Sequence, residues 1–197
     1  MKYSKEELKA AFVKILGEVK RPGMDSLLAW LESTDFFTAP ASTRHHGDYE
    51  GGLVEHSMNV YERLVKKAVG YNLDTVAVVA LLHDVCKADF YKKGTKNQKD
   101  KEGKWQQVPF WGYDDKFPAG HGEKSVFLIM RHIQLTDEEI MAINWHMGGF
   151  DSRVHGANYE LSAAWAKYPL AVLLHLADME ATWLDETKGA QTWQQED

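Results

Sequence analysis

The stretch that decides the fold reads Ala80-Leu81-Leu82-His83-Asp84-Val85-Cys86-Lys87. It starts as an apolar run of the kind that proteins bury, and it continues into a histidine, an aspartate and a lysine. Burying an unpaired charge costs several kcal/mol, so a buried charged group shifts its pKa, pairs with an opposite charge or binds a metal. We therefore expect a polar site at the end of a core element.

Composition predicts one folded domain. The chain has 197 residues, of which 44% are hydrophobic, so it can bury a sizeable core without disulfides or oligomerisation. The formal net charge of -6 argues against a general duplex nucleic-acid binder, because such proteins carry a basic surplus that displaces counterions from phosphates. A local basic patch is still compatible with this charge.

Cysteine content and the first residues bear on the compartment. Cys86 is the single cysteine, so no internal disulfide can form. The segment from Met1 to Glu7 lacks the apolar core of a signal peptide, and the sequence has no apolar run of the length that spans a bilayer. We expect a cytoplasmic protein without a membrane partner.

Helical spacing of apolar residues runs through most of the chain and predicts an all-α fold. Ser4 and Glu7 form the pattern of a capping box, and the helix that follows should stop at Arg21-Pro22-Gly23. Asp74 should cap a buried run over 75–82, whose β-branched residues would also suit a strand although its length favours a helix. Further helices are predicted over 25–31, 53–69, 123–132, 136–147, 160–167 and 169–186.

An insertion over residues 90–119 interrupts the helical pattern. A polar, lysine-rich stretch is followed there by rings interleaved with proline and glycine, namely Trp105, Phe110, Trp111, Tyr113 and Phe117. A linker would not carry so many aromatic residues, so we predict a β-hairpin or an ordered flap. The flap either covers a site and stacks on a base, or its rings only attach the insertion to the helical body.

Histidines and carboxylates recur beside helix ends and inside apolar helices. Among the nine histidines, those in such positions are His56, His83, His121 and His146. Asp178 follows an apolar run, and no lysine or arginine lies between Lys167 and Lys188 to pair with it. Histidine nitrogen and carboxylate oxygen suit zinc, iron, manganese or nickel, and the lack of cysteine pairs argues against a structural zinc site.

Each of these residues also has a plain structural explanation. A single histidine is more often a hydrogen-bonded core or surface residue than a ligand, and unconnected core histidines would bind no metal. Cys86 is expected to be a small buried hydrophobe. We assign structural or solvent-exposed roles to His132, His155 and His175.

The pattern His56, His83-Asp84 and Asp178 resembles the signature of the HD-domain phosphohydrolase superfamily. The resemblance implies an all-α helical bundle in which these four side chains hold a divalent metal. The segment 44–57, with His45-His46 before Gly51-Gly52-Leu53-Val54-Glu55-His56, is similar to the start of the HD domain of bacterial 3′→5′ exoribonucleases. His83-Asp84-Val85-Cys86-Lys87 is similar to the family's His-Asp-Ile-Gly-Lys, with Cys86 in place of glycine.

The resemblance also implies roles for individual residues. His121 and His146 fall where binuclear members of the superfamily carry two further histidines, so the implied ligand set for one or two divalent ions is His56, His83, Asp84, His121, His146 and Asp178. Asp84 would bridge the two ions and, with Lys87, form the catalytic group. The substrate contacts are predicted to come from Lys87, Lys124, Arg153 and Trp111, although Lys87 would also suit a solvated helix end.

Departures from particular subfamilies narrow the choice. Val85-Cys86-Lys87-Ala88-Asp89 lacks the paired acids of the guanosine-alarmone hydrolases, and Gly112-Tyr113-Asp114 does not match the Gly-Tyr-Pro motif of the cyclic-di-GMP phosphodiesterases. Bacterial 5′-deoxynucleotidases have a glutamate where this chain has Lys87. The exoribonucleases carry a separate N-terminal nucleic-acid-binding domain that is absent here, which argues against an RNase role.

We therefore predict a single HD-type domain over 1–197, made of N-terminal helices (1–35), a metal-binding core (45–186) and a polar tail (187–197). The expected function is metal-dependent hydrolysis of a phosphoester in a small substrate, a nucleotide or short oligonucleotide. The alternative is a metal-containing HD-fold nucleotide sensor or scaffold without hydrolytic activity. The substrate, the number and identity of the ions and the oligomeric state stay open.

Overall fold

The computed structural model describes residues 4–43, 46–154 and 159–186. Predictions for Arg44, His45, His155 and the tail 187–197 lie outside these residues. The described chain is mostly helical, with α1 (Lys5–Glu18), α2 (Met24–Ser33), α3 (Gly52–Lys67), α4 (Leu73–Leu82), α5 (His121–Met130), α6 (Asp137–Asn144), α7 (Glu160–Lys167) and α8 (Pro169–Glu180). Within it, every helix falls short of the length and apolar character that a membrane crossing requires.

The capping box at the start of α1 is confirmed. The Ser4 backbone N–H donates to Glu7 Oε2 at 2.7 Å, and the Glu7 N–H donates to Ser4 Oγ at 3.2 Å. These two bonds satisfy amides that have no partner inside the helix. The helix then buries Leu8, Phe12 and Leu16 at four-residue spacing, so its apolar face meets the core.

The run over 75–82 is helical and forms most of α4, which lies in the centre of the core. Its residues from Val76 to Leu82 are all buried, which is the pattern of a helix enclosed on every side. The predicted cap was wrong. Asn72 Oδ1 accepts from the Asp74 N–H at 2.8 Å, whereas the Asp74 side chain accepts from the Lys20 N–H at 2.9 Å. Asp74 therefore joins the end of α1 to α4.

Two helix ends near the buried histidines also differ from prediction. The helix predicted over 123–132 starts at His121 because Gly120 and Glu123 form the opening hydrogen bond. The helix predicted over 136–147 ends at Asn144, so His146 lies in the turn that follows. A Cβ on Gly122 would lie 2.2 Å from the Asn144 carbonyl oxygen, so only glycine permits this approach of α5 to the end of α6.

The insertion contains a β-hairpin, as predicted. β1 (Tyr91–Lys99) pairs antiparallel with β2 (Trp105–Tyr113), with Tyr91 opposite Tyr113 at the base and Lys99 opposite Trp105 at the tip. The base is tied to the body by a hydrogen bond between the Tyr113 and Thr43 hydroxyls at 3.3 Å. The tip is exposed.

Packing of α3 against α4 and α8 brings the buried polar residues together. One hydrophobic core runs through residues of α1, α3, α4, α5, α6 and α8. Inside it the fully buried polar side chains include His56 on α3, His83 just after α4 and His146 after α6. The core is therefore apolar around a polar centre.

A buried ion pair ties the chain after α1 to α6. Arg21 donates from Nη1 and Nη2 to the two carboxylate oxygens of Glu139, both at 2.8 Å, and the Glu139 side chain is 0% exposed. Burial alone would raise the pKa of Glu139, but the hydrogen bonds from Arg21 and from the Thr136 backbone outweigh it and lower that pKa. The pair therefore stabilises the fold only while Glu139 is ionised.

Arg21→Ala should lower the free energy of unfolding by about 3 kcal/mol at neutral pH, because it leaves the Glu139 charge buried and unpaired. Since the folded pKa of Glu139 is lowered, this contribution is present above its unfolded pKa and is lost as pH falls through the folded one. Urea unfolding of the wild type and of Arg21→Ala should show that the difference between their free energies of unfolding becomes smaller as the pH falls. Glu32→Gln, which breaks the exposed pair with Lys9, should stay within about 0.5 kcal/mol. An equal effect of the two substitutions would contradict this assignment.

Candidate metal centre

Three helices contribute the first half of the polar centre. His56 Nε2 on α3 lies 3.2 Å from His83 Nε2 after α4 and 3.2 Å from Asp178 Oδ1 on α8. The side chains of His56 and His83 are 1% and 0% exposed, whereas that of Asp178 is 15% exposed. The three groups therefore converge on one small space.

The second half comes from the start of α5 and the turn after α6. His121 Nε2 lies 2.7 Å from Asp84 Oδ1, and His146 Nε2 lies 3.5 Å from the same oxygen. The close approach of α5 and α6 at Gly122 places these two rings 5.2 Å apart, centroid to centroid. His121 is the more accessible of the two, with 32% of its side chain exposed.

Asp84 lies between the two halves. Its Oδ1 faces His121 and His146, whereas its Oδ2 lies 3.5 Å from His83 Nε2 and 3.8 Å from His56 Nε2. Lys87 Nζ, in the 3-10 turn Val85–Lys87, donates to Oδ2 at 2.6 Å. The carboxylate thus presents one oxygen to each half of the centre.

Hydrogen bonds on the far side of each ring fix its orientation. His83 Nδ1 donates to the Ala80 carbonyl at 2.8 Å, and His146 Nδ1 donates to the Ile143 carbonyl at 2.7 Å. Because a carbonyl only accepts, each ring carries a proton on Nδ1, and its Nε2 points at the centre. This arrangement is typical of metal-ligating histidines. His56 Nδ1 faces both oxygens of Glu186 at 3.1 Å.

The residues fit a divalent cation. His146 Nε2 is buried without a hydrogen-bond partner among the described residues, although such atoms normally have one. Overlapping triads of ligand atoms cover the centre, including His56, His83 and Asp178 as well as His83, Asp84 and His146. Nitrogen and carboxylate donors of this kind suit zinc, iron, manganese or nickel. A cation here would satisfy the unpaired nitrogen and the clustered acids together.

The carboxylates and one histidine are already in the form that binds a metal. Burial opposes the ionisation of both Asp84 and Asp178. The neighbouring Lys87 and His83 outweigh this effect and lower the pKa of Asp84. In the same way His56 lowers the pKa of Asp178. Burial lowers the pKa of His83 to about 3, against the opposing effect of Asp84. His83 is therefore neutral at physiological pH.

Two other histidines hold protons in the absence of a cation. Burial opposes the charged form of His56, but Glu186 and Asp178 raise its pKa to about 10. Burial also opposes charge on His121, and there Cys86 and Asp84 raise the pKa to about 10. These protons compensate the buried carboxylates, and a bound cation would replace them.

A cavity of about 490 Å³ opens beside the centre. Its polar wall includes Asp84, Lys87, His121 and Asp178, and its apolar wall includes Tyr91, Met147, Phe150, Met179 and Trp183. The size falls in the range of small-molecule sites. Within the part of the chain that the structure describes, Lys87 is the single lysine or arginine in this lining, and its side chain is 12% exposed. Its pairing with Asp84 rules out the solvated helix-end alternative.

Sequence reasoning missed several residues of the site. Glu186 follows Asp178 by about two helical turns, a spacing that could have indicated its position. The centroid of the His46 ring lies 4.8 Å from that of the His56 ring. Neither ring nitrogen of His46 has a hydrogen-bond partner among the described residues. His175, expected to be structural or exposed, lines the cavity and donates from Nδ1 to the His146 carbonyl at 2.6 Å.

The structure does not bring Lys124, Arg153 or Trp111 to the cavity lining. Lys124 Nζ lies 2.5 Å from Asp115 Oδ1 and over the Phe90 ring. Arg153 donates to Asp151 at 2.6 Å and to Glu123 at 2.8 Å. Trp111 lies under Lys93 on the hairpin. Substrate contact by these three residues stays a prediction.

Comparison with known families identifies one match. The family model described as HD domain matches residues 53–180, which include the centre from His56 to Asp178. Searches of curated proteins and of solved structures return no match. The family match covers more than half of the chain, and it contains every residue of the two halves described above.

Binding of a divalent cation should release protons, because a histidine must be neutral to bind a metal. His56 and His121 have pKa values of about 10 and so carry protons at neutral pH. Each displaced proton adds about a factor of ten to metal affinity per pH unit, so two should make affinity rise about a hundredfold per unit. Calorimetric titration with zinc in buffers of different ionisation enthalpy counts these protons.

Glu186→Gln offers a matched control for this titration. It removes one carboxylate that raises the pKa of His56, so fewer protons should leave when the cation binds. An affinity that does not change with pH in the wild-type protein would contradict the proposed protonation of the centre.

Proposed function

This chain belongs to the HD-domain family, and from that premise we propose that it is a metal-dependent phosphohydrolase acting on a phosphoester of a nucleotide. The observation that supports the proposal most directly is the convergence of histidines and carboxylates on Asp84 at the wall of the cavity. A divalent cation bound there would act as a Lewis acid toward the phosphoryl group and lower the pKa of a water molecule.

We propose that the centre would hold two divalent ions and that Asp84 would be a ligand in both halves. His56, His83 and Asp178 would hold the first ion, and His121 and His146 the second. Different histidines lie near Oδ1 and Oδ2 of Asp84, and this supports the assignment. A carboxylate shared by two ions needs further ligand atoms near each of its oxygens. The candidates for each ion are iron, manganese, zinc and nickel.

We assign Lys87 and Tyr91 as the residues that would donate hydrogen bonds to the substrate phosphate. Burial opposes charge on Lys87, but Asp84 raises its pKa, so the ammonium stays charged and can donate to a phosphoryl oxygen. Burial raises the pKa of Tyr91 to about 12, so its phenol keeps its proton and acts as a second donor. Together they would stabilise charge that develops on the phosphoryl and leaving oxygens.

The aromatic residues that line the cavity support a nucleotide as the substrate. Phe150 and Trp183 line it and are 63% and 56% exposed, so their rings are accessible to a base. A polynucleotide channel would need several cations along its path, whereas Lys87 is the single lysine or arginine among the described residues that line this cavity. A small phosphorylated substrate therefore fits better than a long strand.

Asp84→Asn should abolish hydrolysis of p-nitrophenyl phosphate or bis-p-nitrophenyl phosphate by the metal-loaded protein, because the amide cannot serve both halves of the centre. Lys87→Met should retain metal and lower kcat by about a hundredfold. The matched control is Lys99→Met at the exposed tip of the hairpin, which should leave kcat unchanged. Turnover of both esters and metal content are measured on the same samples.

Two results would contradict the hydrolase proposal. Full turnover by Asp84→Asn would show that the activity arises elsewhere. Bound metal without turnover on either ester or on a panel of nucleotides would favour the sensor or scaffold alternative. Preference between the two esters would decide whether the substrate is a monoester or a diester.

Tyr91→Ala should raise KM for a nucleotide by about fivefold or more, since it removes a donor and an aromatic ring from the lining. Trp111→Ala should have a smaller effect, because Trp111 lies outside that lining. Steady-state kinetics on nucleoside monophosphates compares the two variants. A larger effect of Trp111→Ala would instead support the hairpin as a flap that contacts the substrate.

A further inference from the structure

Arg153 lies next to the elements that carry the second half of the metal centre, in the 3-10 turn Ser152–Val154. Its Nε and Nη2 donate to the two carboxylate oxygens of Asp151 at 2.9 and 2.6 Å. The Asp151 side chain is 4% exposed, so this two-bonded pair fixes the plane of the guanidinium. The remaining contacts of Arg153 are therefore made in set directions.

One of these contacts reaches the start of α5, the helix that begins with His121. Arg153 Nη1 lies 2.8 Å from Glu123 Oε1. The other oxygen of Glu123 accepts from the Gly120 N–H at 3.1 Å and so caps the helix directly before His121. Glu123 thus connects the guanidinium to the backbone that carries His121.

A second set of contacts reaches the end of α6, two residues before His146. Arg153 Nη2 donates to the Asn144 carbonyl at 2.9 Å, and Nη1 donates to Asn144 Oδ1 at 3.1 Å. The last carbonyls of a helix have no partner inside it, so a cation is favourable at this end. The guanidinium carbon also lies 4.3 Å from the centre of the Trp145 ring. Arg153 therefore contacts both residues that precede His146.

The two halves of the centre differ in what supports them. The first half is carried by α3, α4 and α8, whose apolar residues belong to the main hydrophobic core. Trp145, directly before His146, instead packs with Leu161 and Ala164 in a separate small cluster. The turn that carries His146 therefore depends on the polar contacts of Arg153 as well as on core packing.

We propose that Arg153 is a positioning residue for the second ion. It connects Glu123 on α5 to Asn144 on α6. This connection sets the separation of the His121 and His146 rings, whose centroids lie 5.2 Å apart. The inference rests on the two-ion assignment proposed above. Arg153 acts on the substrate only through these histidines, which differs from the substrate contact predicted from the sequence.

A zinc titration of the full-length, metal-free protein against a competing chelator tests this role. Wild type should bind two ions in two steps, and His121→Ala identifies the step that belongs to the second ion. Arg153→Met should weaken that step by about tenfold or more and keep the other, because loss of a group that orients metal ligands has an effect of this size. Arg153→Lys should recover only part of the loss, since an ammonium cannot form the two-bonded pair with Asp151.

Two other arginines provide controls. Arg131→Met removes an exposed arginine at the other end of α5, where its guanidinium lies over the Phe117 ring, and should leave both steps unchanged. Arg21→Ala should destabilise the fold through Glu139 near the start of α6, yet keep both steps. This second control separates loss of the ion from loss of stability.

Glu123→Gln provides a second variant if Arg153→Met folds poorly. The amide oxygen can still accept from the Gly120 N–H, but the charge that faces the guanidinium is removed. The same zinc step should weaken, by less than in Arg153→Met.

Failure of the positioning role and failure of the two-ion assignment give different results. Two steps in wild type that Arg153→Met leaves unchanged, or weakens equally, would overturn the positioning role and leave the two-ion assignment standing. A single step in wild type, with one ion bound per chain, would overturn the two-ion assignment and the positioning role with it.

Discussion

The negative charge of Asp84, buried where α4 ends, is the constraint that the surrounding residues satisfy. Water does not compensate this charge, because the side chain is 3% exposed. Lys87, His121 and a cluster of further histidines do so instead. Each of these groups is itself buried or partly buried, so removing one would leave another unpaired. A polar centre of this kind folds stably only if its charges are compensated as a set.

The helical fold supplies that set through backbone contacts. The helix α4, which is buried from Val76 to Leu82, places His83 and Asp84 deep in the core, and the carbonyls of Ala80 and Ile143 orient His83 and His146. Gly122 lets α5 approach α6 closely enough for His121 to reach Asp84. The two acceptors are backbone carbonyls, so each ring is held by an atom whose position does not depend on the rotamer of another side chain.

Local patterns in the sequence predicted the local structure, whereas the convergence of distant residues on Asp84 was predicted only through the family resemblance, and some long-range contacts were missed. The capping box at Ser4, the helical run over 75–82 and the hairpin were predictable because neighbouring residues determine them. The end of α6 was not, because the helix stops where Trp145 and Gly148 form a turn. The contacts of His46 and Glu186 with His56 depend on packing between distant segments, which spacing alone does not specify.

Metal content measured by elemental mass spectrometry tests the central claim most directly. The protein is loaded with excess zinc or manganese, freed of unbound ions and measured beside Asp84→Ala. We expect about two ions per wild-type chain and a loss of metal in Asp84→Ala, because this carboxylate faces both halves of the centre. Absence of metal from the wild-type protein after loading with zinc, iron or manganese would contradict the account.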